Sequence, residues 1–142
     1  MTAEQFIQRV RHIDIILQNK LKEYKRWVDT AEGLGGISTG DRVKTSRNLT
    51  KIPDAIGRYI DLENDIARLQ RERAEILRVL ESLPADEYDL LYKLYVEDFK
   101  MKELAYFHHR SYDWVKKKKR LALRNLQRII DERATDKAQG FA

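Results

Sequence analysis

Residues 111–126 read SYDWVKKKKRLALRNL, the most unusual run in this chain of 142 residues. Six of these residues are basic, and five of the six are consecutive. On a helix with 3.6 residues per turn, the apolar and the basic side chains separate onto opposite sides. The apolar side consists of Val115, Ala122, Leu123 and Leu126. The basic side consists of Lys116, Lys117, Arg120 and Arg124.

This basic side has two interpretations. An ordinary solvated helix face usually mixes signs, with acidic residues one turn away supporting the basic ones. Here Asp113 is the only acidic residue between positions 112 and 130. Side chains of one sign repel each other unless an anion approaches, so the pattern favours a surface for a polyanion such as nucleic acid.

Composition indicates long charged helices in an intracellular protein. Apolar residues make up 42% of the chain, charged residues 36%, and the net charge is +5. The absence of cysteine excludes disulfides and thiolate zinc sites. The first residues, MTAEQFIQRV, lack a signal-peptide core, and no apolar run approaches the roughly 18 residues that span a bilayer. We therefore expect a cytoplasmic protein with no membrane partner.

Apolar residues recur at steps of three and four over residues 3–31 and again over 52–83. Lys20 and Arg73 are the only polar members of these two series. Such seams are typical of coiled-coil-like packing, and two helices joined by a connection form an antiparallel hairpin most simply. The sequence therefore predicts an all-α protein whose first domain, residues 1–83, is a helical hairpin. Alternatively, the same apolar seams pack between two copies of the chain in a dimeric bundle.

The connection between these helices is predicted at about residues 32–51, where four glycines and several Ser and Thr residues show no period. A stretch of this length without structure is either functional or disordered. One hypothesis is a plain or disordered connection. The other is an arm that contacts nucleic acid through its basic residues, Arg42, Lys44, Arg47 and Lys51.

A second domain is predicted over residues 84–132. Ser82 or Pro84 marks the break, and Asp86 and Glu87 suit the first turn of a new helix. Residues 101–107 predict a short helix, and HHR at 108–110 a tight turn. Ser111 is a candidate N-cap for a helix that ends near residue 132. The tail, residues 133–142, is expected to be frayed.

The spacing of residues 82–126 resembles the helix-turn-helix of region 4 in sigma-70-type transcription factors. The matching positions are Leu83, Pro84, Glu87, Leu90, Leu91, Leu94, Tyr95, Glu103, Leu104, Ala105, Ser111, Val115, Ala122, Leu123 and Leu126. The resemblance implies a DNA-binding module in the second half of the chain. Counterparts of the sigma domains that grip the polymerase core are not found, so a complete sigma factor is not expected.

The chain as a whole is similar to small phage and phage-island proteins of Gram-positive bacteria, the ArpU- and RinA-like late-operon regulators. DRVKTS at 41–46, AIGRYIDLENDI at 55–66 and SYDWV at 111–115 carry this similarity, which covers roughly residues 5–130. It implies a transcriptional regulator, an activator of phage or mobile-island late genes.

The sequence departs from the helix-turn-helix pattern at two places. The turn usually contains a glycine, but this chain has His108 and His109 there. A residue with a side chain costs up to about 1 kcal/mol where the turn requires a positive φ. Lys118 stands where an aliphatic residue is usual. These departures concern the geometry of the turn rather than the presence of the module.

No catalytic, cofactor or metal site is predicted. Adjacent histidines cannot chelate a metal easily from one helix face, and no cysteine or carboxylate motif completes a site. There is neither a nucleophile–histidine–acid signature nor a phosphate-binding glycine loop between a strand and a helix. We therefore do not expect an enzyme.

The proposed partner is double-stranded DNA, with helix 111–130 entering the major groove by its N-terminal half. The base-edge candidates are Tyr112, Asp113, Trp114, Lys116 and Lys117. The backbone candidates are Lys100, Lys102, Arg110, Ser111, Arg120 and Arg124. The hairpin would form a homodimer or contact host RNA polymerase.

Two alternatives remain open at this stage. Small terminase subunits also join a helix-turn-helix to a helical oligomerisation region, so a DNA-packaging protein is one alternative. The other is a protein-interaction module that captures a regulator and binds no DNA.

Overall fold

A computed structural model describes the backbone of residues 1–36 and 45–138, and the side chains of residues 1–32 and 55–138. In these stretches every regular element is a helix, which confirms the predicted all-α class. The helices are α1 (Ala3–Gly36), α2 (Thr45–Leu80), α3 (Ala85–Leu91), α4 (Met101–Phe107) and α5 (Tyr112–Ala138). A π-helical turn, Tyr92–Val96, continues directly from α3.

The two long helices extend into the predicted connection from both sides. We expected it at about residues 32–51, but α1 continues to Gly36 and α2 begins at Thr45. Each further residue of a helix adds a backbone hydrogen bond, which offsets the cost of about 1 kcal/mol for a glycine. Residues 37–44, with Arg42 and Lys44, and the side chains of Arg47 and Lys51 lie outside the described part. The hypothesis of a nucleic-acid arm therefore stays a prediction.

The last helix is also longer than its sequence indicates. We expected it to end near residue 132, with a frayed tail over 133–142, but α5 continues to Ala138. Residues 131–138 contain neither Gly nor Pro, so no residue there interrupts the helix. Lys137 lies in the last turn, where a cation interacts favourably with the helix dipole.

The chain forms two compact units. The five-helix unit comprises Met1–His12 and Arg73–Ala142, and the long-helix unit comprises Ile13–Glu72. This grouping differs from the division predicted at residues 83 and 84. The physical reason is that Ala3 and Ile7 of α1 and Val79 and Leu80 of α2 belong to the apolar core of the five-helix unit.

In the long-helix unit, the buried side chains come from the predicted seams. Ile13 and Leu17 of α1 are buried, as are Leu62, Ile66 and Leu69 of α2. This burial confirms the prediction that the apolar periodicity marks the packed faces of both long helices.

Polar contacts in the long-helix unit join α1 to α2 as well. The Lys20 ammonium lies 3.2 Å from an Asp65 carboxylate oxygen. The Tyr24 hydroxyl donates to Glu63 at 2.8 Å, and the rings of Tyr24 and Tyr59 meet edge to face. These contacts pair later residues of α1 with earlier residues of α2. Lys20, the polar member of its seam, is therefore neutralised by a carboxylate of the other helix.

The core of the five-helix unit has two clusters. The larger consists of Ala3, Ile7, Val79, Leu80, Leu83, Leu91, Tyr95, Ala122 and Leu126. The smaller joins Leu90 of α3, Leu104 of α4 and Val115 of α5, each almost fully buried. Both clusters include side chains of α3 and α5. The apolar side of α5 is therefore fixed against the rest of the unit.

The π-helical turn ends the α3 segment with an unusual backbone. The Glu97 amide donates to the Tyr92 carbonyl at 3.1 Å, and the next residue, Asp98, has a φ of 61°. A positive φ is uncommon for a residue with a side chain, although aspartate tolerates it better than most. Asp98 also pairs with Arg11 of α1. This corner leads the chain into α4.

Among the described residues, no helix combines the length and the apolar character that crossing a membrane requires.

Candidate nucleic-acid interface

The exposed basic side chains of α5 lie opposite its buried side chains. Val115, Ala122 and Leu126 are completely buried. Opposite these buried side chains lie four exposed basic residues, Lys116, Lys117, Arg120 and Arg124, and we call this set the basic face. The separation predicted from helical periodicity is therefore confirmed. Because buried apolar residues hold one side of α5 in place, the basic face has a defined orientation within the five-helix unit.

The consecutive basic residues of α5 differ in what they contact. Lys118 forms an ion pair with Asp86 of α3. The hydrogen bond from its ammonium lowers the pKa of the Asp86 carboxyl below the ordinary value. Lys119 is partly buried, and its ammonium lies 5.8 Å from the centre of the Tyr95 ring. Lys118 is thus neutralised inside the unit, and Lys119 is positioned over an aromatic ring.

The residues of the basic face have no carboxylate partner within the described part of the chain. The Lys116 ammonium lies 5.7 Å from the centre of the Tyr112 ring, a cation–π contact that leaves its charge uncompensated. No salt bridge joins Lys117, Arg120 or Arg124 to a described acidic residue. Exposed cations that have no salt-bridged counter-ion attract anions over a distance of about one Debye length.

The first turn of α5 is fixed by its predicted cap. The Trp114 amide donates to the Ser111 hydroxyl at 3.1 Å, which confirms Ser111 as the N-cap. Tyr112 and Asp113, two of the base-edge candidates, are exposed and therefore accessible to a ligand. Ser111 is exposed too, but its hydroxyl oxygen already accepts this hydrogen bond.

Trp114, another base-edge candidate, is only partly exposed. Its side chain packs against the smaller core cluster. Its ring lies 5.8 Å from the His108 ring, and the Arg110 guanidinium lies 5.4 Å from its centre. The structure therefore gives Trp114 a packing role at the turn, and part of the Arg110 side chain covers it. Periodicity alone did not reveal this, because the contacts come from the turn rather than from α5.

The turn between α4 and α5 uses a left-handed residue. α4 ends with the His108 amide donating to the Leu104 carbonyl at 2.9 Å, and His109 has a φ of 53°. His109 thus takes a positive φ at the turn, where the helix-turn-helix pattern usually has a glycine. The Arg110 amide then donates to the Ala105 carbonyl at 2.9 Å, which closes the turn.

The backbone candidates at the start of α4 are exposed. Lys100 and Lys102 flank Met101, the first residue of that helix. The Glu103 carboxylate accepts a hydrogen bond from the Lys100 amide at 3.1 Å, as in a capping box. Met101 lines a cavity together with Lys116 and Arg120, so the structure brings the start of α4 beside the basic face.

One polar contact that orients α5 was not predicted. Glu87 of α3 is buried, with 3% of its surface exposed. Asn125 of α5 donates to both of its carboxylate oxygens, at 2.9 and 3.0 Å. A buried carboxylate without a partner is costly, so this pair fixes the register of α5 against α3. No sequence signal marks Asn125, since the contact joins residues far apart in the chain.

Among the described side chains, residues 1–32 and 55–138, no group of His, Asp and Glu residues is arranged to hold a metal ion. No protein-family model matches the chain, and no curated protein or solved structure matches it.

Proposed function

We propose that this protein binds double-stranded DNA in a sequence-specific way and regulates transcription, as an activator of phage or mobile-island late genes. The observation that carries the proposal is the basic face of α5, which is exposed, lacks carboxylate partners among the described residues and is backed by buried Val115, Ala122 and Leu126. Phosphate neutralisation by Lys and Arg supplies most of the sequence-independent affinity of DNA-binding proteins.

In this proposal α4 and α5 act as a helix-turn-helix. Three features support it: α4 is short, the turn contains a left-handed residue at His109, and Ser111 caps α5. The N-terminal half of α5 would enter the major groove, where Tyr112, Asp113 and Lys117 are exposed for base contacts. Arg120 and Arg124 would contact phosphates farther along the helix.

The long helices would form an antiparallel hairpin that dimerises or contacts host RNA polymerase. The contacts Lys20–Asp65 and Tyr24–Tyr59 support an antiparallel pairing, because the residue numbers increase along α1 as they decrease along α2. A dimer would place two copies of α5 on two half-sites, about one turn of DNA apart or a multiple of it.

The test is selection of bound duplexes from a random-sequence pool by the full chain, followed by affinity measurement on the selected and a scrambled duplex. We expect enrichment of one sequence and a preference for it over the scrambled duplex of at least about a thousandfold. The mass of the protein in solution is measured in parallel. A ring of many subunits would favour the DNA-packaging alternative, and no duplex binding at low salt would contradict the proposal.

A further inference from the structure

A cavity of about 240 Å³ lies between the start of α4 and the middle of α5. Its lining consists of Met101, Lys116, Lys119, Arg120 and Leu123. Three of these five residues are cations, and none is acidic. Both helices belong to the five-helix unit, and their apolar contacts through Leu104 and Val115 hold the two walls of the cavity together.

Aromatic rings position the two lysines of the cavity, and none of its three cations is neutralised. The ammonium groups of Lys116 and Lys119 lie over the rings of Tyr112 and Tyr95, at 5.7 and 5.8 Å from the ring centres. Neither lysine, nor Arg120, has a salt bridge to an acidic residue in the described part of the chain. Like charges that share a concave site repel one another, and an anion between them relieves this repulsion.

Lys118, next to these cations in the sequence, differs from them because the five-helix unit supplies a carboxylate that neutralises it. It belongs to the same basic run, yet it points to α3 and pairs with Asp86. It does not line the cavity. The cations of the cavity are therefore distinguished from their neighbour by geometry and by the absence of a carboxylate among the described residues.

We propose that this cavity binds one phosphate group through Lys116, Lys119 and Arg120, and that the group is a phosphodiester of the DNA backbone. The choice of DNA as the source of the phosphate rests on the function proposed above. Arg120 can donate two parallel hydrogen bonds to phosphate oxygens, while the two lysines act as point charges. The apolar side chains of Met101 and Leu123 border the site and strengthen the electrostatic attraction.

Two consequences follow for the proposed contacts. Lys116, expected from the sequence to reach a base edge, becomes a backbone contact. Lys119, which was not among the contacts expected from the sequence, becomes a member of the interface. A phosphate held between α4 and α5 would fix the position of α5 on the duplex, which leaves base recognition to the exposed residues around it.

The exposed cations around the cavity favour a phosphodiester of a DNA strand over a free phosphate as the ligand. Arg124 follows Arg120 by one helical turn, about 6 Å along the axis, and is also exposed. Lys117 is exposed on the same face. A single small phosphate in the cavity would leave these two cations uncompensated, whereas a strand of DNA supplies further phosphates on either side.

The test uses the full-length chain and the duplex recovered by selection, with each backbone phosphate replaced in turn by a neutral methylphosphonate. The parent is compared with Lys119→Met, which keeps an unbranched apolar stem over Tyr95 but removes the charge. The matched control is Lys117→Met, which makes the same change on the same helix outside the cavity. Circular dichroism and melting curves check that both variants remain folded.

We expect one phosphate position whose neutralisation weakens binding by the parent about tenfold, the effect of a charge-assisted hydrogen bond. In Lys119→Met the same neutralisation should weaken binding clearly less, because one of the three cations that hold the phosphate is already gone, whereas Lys117→Met should keep the full loss. If every neutralised phosphate weakens Lys119→Met as much as the parent, the cavity is not a phosphate site, although DNA binding stands.

A titration with inorganic phosphate, followed by nuclear magnetic resonance, distinguishes DNA from a free phosphate-bearing ligand as the source of the bound phosphate group. If the parent binds no duplex but binds inorganic phosphate, and Lys119→Met does not, the cavity takes a free phosphate-bearing ligand and the assignment to DNA is overturned. If neither duplex nor inorganic phosphate binds, both the phosphate site and the DNA-binding function are contradicted.

Discussion

The contact between the two long helices and the basic face of α5 treat charge in opposite ways. In the long-helix unit, Lys20 and Arg68 both contact Asp65, and the Tyr24 hydroxyl donates to Glu63. On the basic face, the four cations find no carboxylate among the described residues. The comparison teaches that positive charge by itself does not mark an interface. The interface that we propose consists instead of cations that the fold leaves without a carboxylate, grouped on a face that a core holds in place.

The largest expected effect tests the core of the long-helix unit. Ile66→Asp places a carboxylate at a buried position, and Ile60→Asp makes the same change on the same helix where 45% of the side chain is exposed. We expect Ile66→Asp to lower the free energy of unfolding by about 3 kcal/mol or more, because it removes buried apolar surface and buries a charge. Ile60→Asp should lower it by less than about 1 kcal/mol.

Urea denaturation followed by circular dichroism measures both changes, and sedimentation gives the mass of each variant. Equal losses for Ile66→Asp and Ile60→Asp would mean that the seams are not the packed faces. A change of mass in Ile60→Asp alone would show that the exposed isoleucine, rather than the seam, contacts a second copy of the chain.

The next effect concerns a polar pair that belongs to the fold. Asn125→Ala removes the amide that binds buried Glu87. We expect a loss of about 1–3 kcal/mol in the free energy of unfolding, because the carboxylate is left without its donor. The salt dependence of DNA binding should not change, since Asn125 carries no charge.

A double-mutant cycle isolates this pair. In a Glu87→Leu background the carboxylate is gone, so Asn125→Ala should cost clearly less than it does in the parent. Equal costs in the two backgrounds would show that the hydrogen bonds between Asn125 and Glu87 do not stabilise the unit.

A smaller effect is expected at the turn, and it has the opposite sign. His109 adopts a φ of 53°, so His109→Gly should raise the free energy of unfolding by up to about 1 kcal/mol. His108→Gly is the matched control, since His108 has an ordinary φ of −90° and packs on Trp114. We expect that control to lower the free energy of unfolding. If His109→Gly destabilises the protein as well, the turn does not hold the left-handed conformation in solution.

Local signals in the sequence predicted the elements around the candidate site well. The bounds of α4 and the cap at Ser111 are confirmed, because both depend on residues within one or two turns of each other. The opposite placement of Val115 and the basic face follows directly from helical geometry.

Features that depend on distant residues could not be predicted. Asp86 neutralises Lys118, and Asn125 binds Glu87, across the contact between α3 and α5. No spacing in the sequence indicates which of several consecutive lysines turns toward a carboxylate of another helix. The predicted ends of α1 and α5 were wrong. Backbone hydrogen bonds extend α1 through glycines, and no Gly or Pro interrupts α5 before Ala138.

The most direct measurement is the salt dependence of duplex affinity for Arg124→Ala and Lys118→Ala, each compared with the parent. Both substitutions remove one positive charge from α5, but Arg124 belongs to the basic face and Lys118 is paired with Asp86. We expect Arg124→Ala to reduce the slope of log affinity against log salt by about one unit, since about one counterion fewer is released on binding. Lys118→Ala should leave that slope unchanged. Equal slopes for the two variants, whether both reduced or both unchanged, would contradict the conclusion that the uncompensated cations of α5 bind DNA.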